Sequence, residues 1–128
     1  MKFTNLAASA FVLTLGICAT ASAQMSGMPA GVKSMGGMLT DSKGMTLYTF
    51  DKDTAGKSNC NGQCLVNWPA LIADGNAKAM GDWTVVTRDD GSKQWALKGM
   101  PLYTFIQDKK PGDMVGEGKG GVWHMAKL

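Results

Sequence analysis

Beyond an apolar N-terminal run, hydrophobic and polar positions alternate with a period of two, and glycine-bearing turns interrupt them every few residues. Met38-Leu39-Thr40, the turn Asp41-Ser42-Lys43-Gly44 and Met45 to Phe50 predict a hairpin. Trp83 to Thr87, the turn Arg88-Asp89-Asp90-Gly91 and Ser92 to Leu97 predict a second one, again with glycine at the last turn position. Gly44-Met45-Thr46-Leu47-Tyr48-Thr49-Phe50-x-x-Asp53 recurs 55 residues later as Gly99-Met100-Pro101-Leu102-Tyr103-Thr104-Phe105-x-x-Asp108, and the same offset carries Trp68 onto Trp123. In each copy Tyr and Phe face one side of a strand while Leu and Thr face the other. The Asp then opens a turn, where its carboxylate can accept nearby amides. One helical turn is predicted within Ser58 to Asn67, capped by Ser58 or Asn59 and limited by Gly62 and Trp68-Pro69. Leu71 to Gly81 reads as a surface loop. The predicted fold class is all-β: a small, pseudo-duplicated antiparallel β domain with one short helical turn near the cysteine pair.

The N-terminus adds a destination. Lys2, the apolar stretch Leu6 to Ala21, and small residues at Ala21-Ser22-Ala23 before Gln24 predict a signal peptide over residues 1–23. The apolar run is too short to span a bilayer, and no later stretch is apolar for long enough. Export to the periplasm or cell surface is the expectation. Ile17 stands where a lipobox needs a small residue, which assigns Cys18 to the discarded segment; a lipid anchor on Cys18 is the alternative. Residues 24–37 read as a flexible arm rich in Met and Gly, and 38–128 as a single domain. Cys60 and Cys64, at i and i+4, remain after processing and predict a disulfide in an oxidising compartment. Removing Lys2 leaves 12 basic against 10 acidic residues, interspersed along the chain. No basic stripe with interleaved aromatics appears, which excludes nucleic acid as the expected partner.

The doubled Tyr-x-Phe-x-x-Asp, the run Ser58-Asn59-Cys60-Asn61-Gly62-Gln63-Cys64, Trp68-Pro69, and Arg88-Asp89-Asp90-Gly91 followed by Gln94-Trp95 resemble a bacterial family. It is that of the predicted lipoproteins or secreted repeats with a Yx(FWY)xxD motif. The resemblance spans roughly residues 38–125 and implies a location outside the cytoplasm, with no mechanism attached. Its motif residues here are Tyr48, Phe50, Asp53, Tyr103, Phe105 and Asp108.

Enzyme chemistry finds little to stand on. His124 is the one histidine, no Gly-x-Ser-x-Gly elbow occurs, and Leu65 follows Cys64 where covalent haem needs histidine. No catalytic residue is assigned. The aromatics at strand spacing read as core, and the Asp51/Asp53 and Asp89/Asp90 pairs as turn residues. The expected function is therefore a non-enzymatic envelope module that binds or interacts with an unidentified partner or small ligand. Methionine offers a second reading, because nine of the ten follow the signal peptide. Thioethers are soft ligands that select Cu(I) and remain available where thiols are oxidised. Met25, Met28, Met35 and Met38 in the arm, with Met45 and His124, are the candidate ligands of a copper-binding or copper-tolerance protein.

Overall fold

The computed structural model describes residues 27–128; the expected signal peptide, Cys18 and Met25 lie outside the described residues. The first strands form where the arm was expected. β1 (Val32–Met35) and β2 (Met38–Asp41) pair antiparallel, with Met35 opposite Met38 across Gly36-Gly37. Both glycines have positive φ, 62° and 87°, as a two-residue primed turn requires. Val32 and Leu39 bury on one face of this hairpin while Lys33 and Met35 stay exposed. Two inward apolar residues are enough to seat the segment, so the ordered domain begins before Met38.

The turn at Asp41 forms as expected: the Asp41 amide donates to the Met45 carbonyl (2.9 Å), and Asp41 Oδ1 accepts from the amides of Lys43 and Met45. The strand that follows does not stay with β2. Leu47 donates to the Leu39 carbonyl, but β3 (Tyr48–Phe50) pairs with β7 (Trp123–Met125), Phe50 opposite Trp123. The Leu39 amide donates to the Ala126 carbonyl, so the free edge of β2 is shared between Leu47 and the segment after β7. The second hairpin is regular. β4 (Trp83–Thr87) and β5 (Lys93–Leu97) hold five residue pairs, and β6 (Met100–Pro101) adds to the other edge of β5.

Two expectations need correcting. The helix α1 (Gln63–Asn67) is shorter than predicted and Ser58 does not cap it, because the Ser58 hydroxyl is bonded elsewhere in the core. The start of the predicted surface loop lies along β5. Leu71 donates to Leu102 and accepts from Trp95, Ala73 donates to Lys93, and Ala73 is buried. No helix among the described residues is long and apolar enough to cross a membrane.

The alternating sides of the motif strands feed two cores. Leu47 and Leu102 join Val32, Leu39, Trp83, Trp95, Leu97 and Ala126 in one. Tyr48, Phe50, Tyr103 and Phe105 join Cys60, Trp68 and Trp123 in the other.

Candidate functional site

The family motif is where the two halves meet. The Tyr48 amide donates to the Tyr103 carbonyl at 2.7 Å, and the Tyr103 amide returns the bond to Tyr48 at 2.9 Å. The two motif strands thus cross antiparallel about a pseudo-two-fold axis at the tyrosines. Their rings obey the same symmetry. Phe50, Trp123, Trp68 and Phe105 stack in one column, with centroids 4.2, 3.7 and 4.0 Å apart in that order. Tyr48 meets Trp68 edge-on at 5.4 Å, and Tyr103 meets Trp123 edge-on at 5.2 Å, the arrangement that ring quadrupoles favour.

The motif aspartates are exchanged between halves. Tyr103 donates its hydroxyl to Asp53 Oδ2 at 2.6 Å, and Tyr48 donates to Asp108 Oδ2 at 2.7 Å. Each carboxylate also closes its own turn: Asp53 Oδ1 accepts from the Asn59 amide and Asp108 Oδ1 from the Val115 amide. Tyr48, Tyr103, Asp53 and Asp108 are all buried. Burial, then the bond to Asp108, pushes the Tyr48 hydroxyl far above the ordinary tyrosine range; burial and Asp53 do the same to Tyr103. Burial also raises the Asp53 carboxyl, against the opposing pull of Tyr103, Asn59 and Arg88.

The halves differ in what completes each latch. Around Tyr103, the hydroxyl of Ser58 lies 2.6 Å from the phenol, and the buried Arg88 guanidinium donates to Ser58 Oγ, Gln94 Oε1, the Cys60 carbonyl and Asn61 Oδ1. Around Tyr48 a backbone group does this work, the Gly116 amide donating to the phenol at 3.1 Å. A Cβ at Gly116 would stand 2.8 Å from the Trp68 ring and 3.0 Å from Tyr48 Cζ, so only glycine brings its amide this close. The sequence places Arg88 at the first position of a turn. Its shared parity with inward-facing Val86 on β4 was the available signal.

Cys60 and Cys64 are joined as expected, with Cα atoms 5.2 Å apart, and Cys60 is buried against the aromatic core. The other carboxylates serve the surface. Asp90 is held below the usual carboxylate range by the Ser92 hydroxyl and amide, and Asp89 pairs with Lys57 at 3.1 Å. His124 Nε2 lies 2.8 Å from Asp51 Oδ2, while Nδ1 faces Glu117 Oε2 at 3.8 Å. Among the described residues no group of three or more His, Cys, Asp or Glu could hold a metal ion.

The described members of the proposed copper set are spread over different parts of the fold. Met28 packs against the first core, and Met45 lies beyond the Asp41 end of β2. His124 is committed to carboxylates. Among the described candidates, Met35 and Met38 are register partners across the β1–β2 turn. Open grooves mark the surface of the described residues. Two, of about 440 and 570 Å³, flank the segment Met28-Pro29-Ala30. The third, about 300 Å³, is lined by the largely buried rings of Trp68, Phe105 and Trp123 together with the exposed Asn67, Gln107 and Lys119. Lys119 Nζ sits 5.8 Å from the centre of the Phe105 ring.

A family model described as a secreted repeat of unknown function matches residues 31–72 and again 84–127, one match for each half around the pseudo-two-fold axis. No curated protein and no solved structure matches the chain. Two matches covering most of the chain, each containing one Tyr-x-Phe-x-x-Asp motif, identify it: the chain belongs to the family of secreted repeats of unknown function (Lipoprotein_15).

Proposed function

We propose that this exported repeat domain is a non-enzymatic binding module of the cell envelope. Its motif is the scaffold, and its contact surface is the groove along Trp68, Phe105 and Trp123. The observation that supports this is how the motif groups are used. Both tyrosine hydroxyls and both motif aspartates are buried and bonded to one another or to turn amides, which leaves none directed at solvent for chemistry. The same fold lines a groove with the small accessible part of Trp68, Phe105 and Trp123 and three exposed side chains able to donate, Asn67, Gln107 and Lys119, with exposed Val66 and Ile106 adjacent in sequence. Ring surface combined with amide and ammonium donors suits an oxygen-rich chain, and an envelope glycan is the ligand class that fits. Soluble peptidoglycan fragments titrated into the isotope-labelled protein should shift the amides of Asn67, Gln107, Lys119 and Trp123. Lys119→Glu should abolish those shifts without lowering stability. Shifts confined to another face, or unchanged binding by Lys119→Glu, would refute the groove as the contact surface.

A further inference from the structure

A different face carries a second site. Met35 and Met38 are partners flanking the Gly36-Gly37 turn, so their side chains leave the hairpin on the same side. On its other edge Met38 is bridged to Lys127, two residues beyond Met125, which places Met125 on that same side as the diagonal neighbour of Met38. The opposite side of these segments is accounted for: Leu39, Leu47 and Ala126 fill the first core. Met35 is 59 % exposed and Met38 is partly exposed, while Met125, opposite Tyr48, is partly buried and packs against the edge of the aromatic core. The three methionines therefore occupy neighbouring register positions at the edge of that core, partners about 5.5 Å and diagonals about 7 Å apart at the backbone. Methionine has three rotatable bonds, enough for the outer two sulfurs to converge over the middle one.

We propose that Met35, Met38 and Met125 form a surface site for Cu(I) in three-thioether coordination. Met35 and Met38 belong to the methionine set expected from the sequence, and Met125 takes the place of Met25, Met28, Met45 and His124. Thioethers favour a soft monovalent cation over Zn(II) or Ca(II). The hairpin holds its two sulfurs on ordered strands, so binding does not have to order a free arm. Charge around the site is balanced. Lys127 opposes a cation, while Glu117, whose Oε1 accepts from the Met125 amide, favours one.

The test uses the full exported chain with methionine methyl groups labelled, and Ag(I) as a redox-inert probe. The methyl signals of Met35, Met38 and Met125 should shift together and saturate at one equivalent, with Met45 and Met100 unmoved. Anaerobic competition against a Cu(I) chelator should show Met38→Leu and Met35→Leu each weakening binding about tenfold or more, with Lys127→Gln strengthening it. Met35 is mostly exposed, so its variant reports on binding even if Met38→Leu disturbs the fold. Affinity should stay level between about pH 5 and 8, because no thioether has a proton to lose. Shifts at Met25, Met28 or Met45 in place of these three, unchanged affinity in both leucine variants, or loss of binding through the histidine range would overturn the proposal.

Discussion

Replacing Tyr103 with phenylalanine removes one oxygen and leaves the ring against Trp123 in place. That oxygen donates to Asp53 Oδ2 at 2.6 Å and lies 2.6 Å from Ser58 Oγ, with all three residues buried. A hydrogen bond to a charged acceptor is worth about 1.5–3 kcal/mol net, and a buried hydroxyl that loses a partner adds about 1 kcal/mol. Tyr103→Phe should therefore cost about 3 kcal/mol at pH 7. Urea denaturation followed by tryptophan fluorescence measures this, with an unchanged m-value confirming that the loss is in the folded state. The cost should also carry a pH signature. Tyr103 opposes the burial that raises the Asp53 carboxyl, so without it the folded-state pKa of Asp53 rises further. A carboxyl raised on folding lends stability that is present below its unfolded value and lost as pH rises through its folded value. Acidification from pH 7 should accordingly narrow the gap between variant and parent. A cost under about 1 kcal/mol, or a gap equal at pH 7 and near pH 4.5, would refute the reading of Asp53 as an ionised latch dependent on Tyr103.

The chain holds only two tyrosines, and both are latched. Native protein should thus show no tyrosinate absorbance at about pH 11, and both should ionise together on unfolding. Because both phenols are raised on folding, their stabilisation is complete below pH 10 and lost above it, by about 2.7 kcal/mol per pH unit for the pair. Gly116→Ala should destabilise by about 2–4 kcal/mol in thermal or urea unfolding, by driving a methyl into Trp68 and withdrawing the amide from Tyr48. Replacing both Cys60 and Cys64 with serine should cost about 2 kcal/mol, since the bridge spans a separation of only 4 residues; failure to fold would show that it does more than staple a turn.

The alternation of apolar and polar positions, the glycine-closed turns at Asp41 and Arg88, the duplicated motif and the cysteine pair were all legible along the chain. Each is a local property: strand period, turn φ, or a covalent link between near neighbours. The division of Leu47 from Tyr48, and of Leu102 from Tyr103, between two cores follows from that period alone.

Partnership was not legible, because period specifies which side a residue faces and not which strand lies beside it. Nothing near Phe50 indicates that β3 pairs with a strand more than 70 residues away, or that Tyr48 bonds the aspartate of the other repeat. The repeat made two equivalent halves readable, yet it left open whether each motif closes on itself or on its copy. Tertiary packing decided for exchange, since crossing the strands at Tyr48 and Tyr103 brings Trp68 and Trp123 into one stack and buries all four motif rings. The same packing decided the fates of Arg88, drawn inward by four acceptors, and of Lys127, which it bridges to Met38 although most of the domain separates them in sequence.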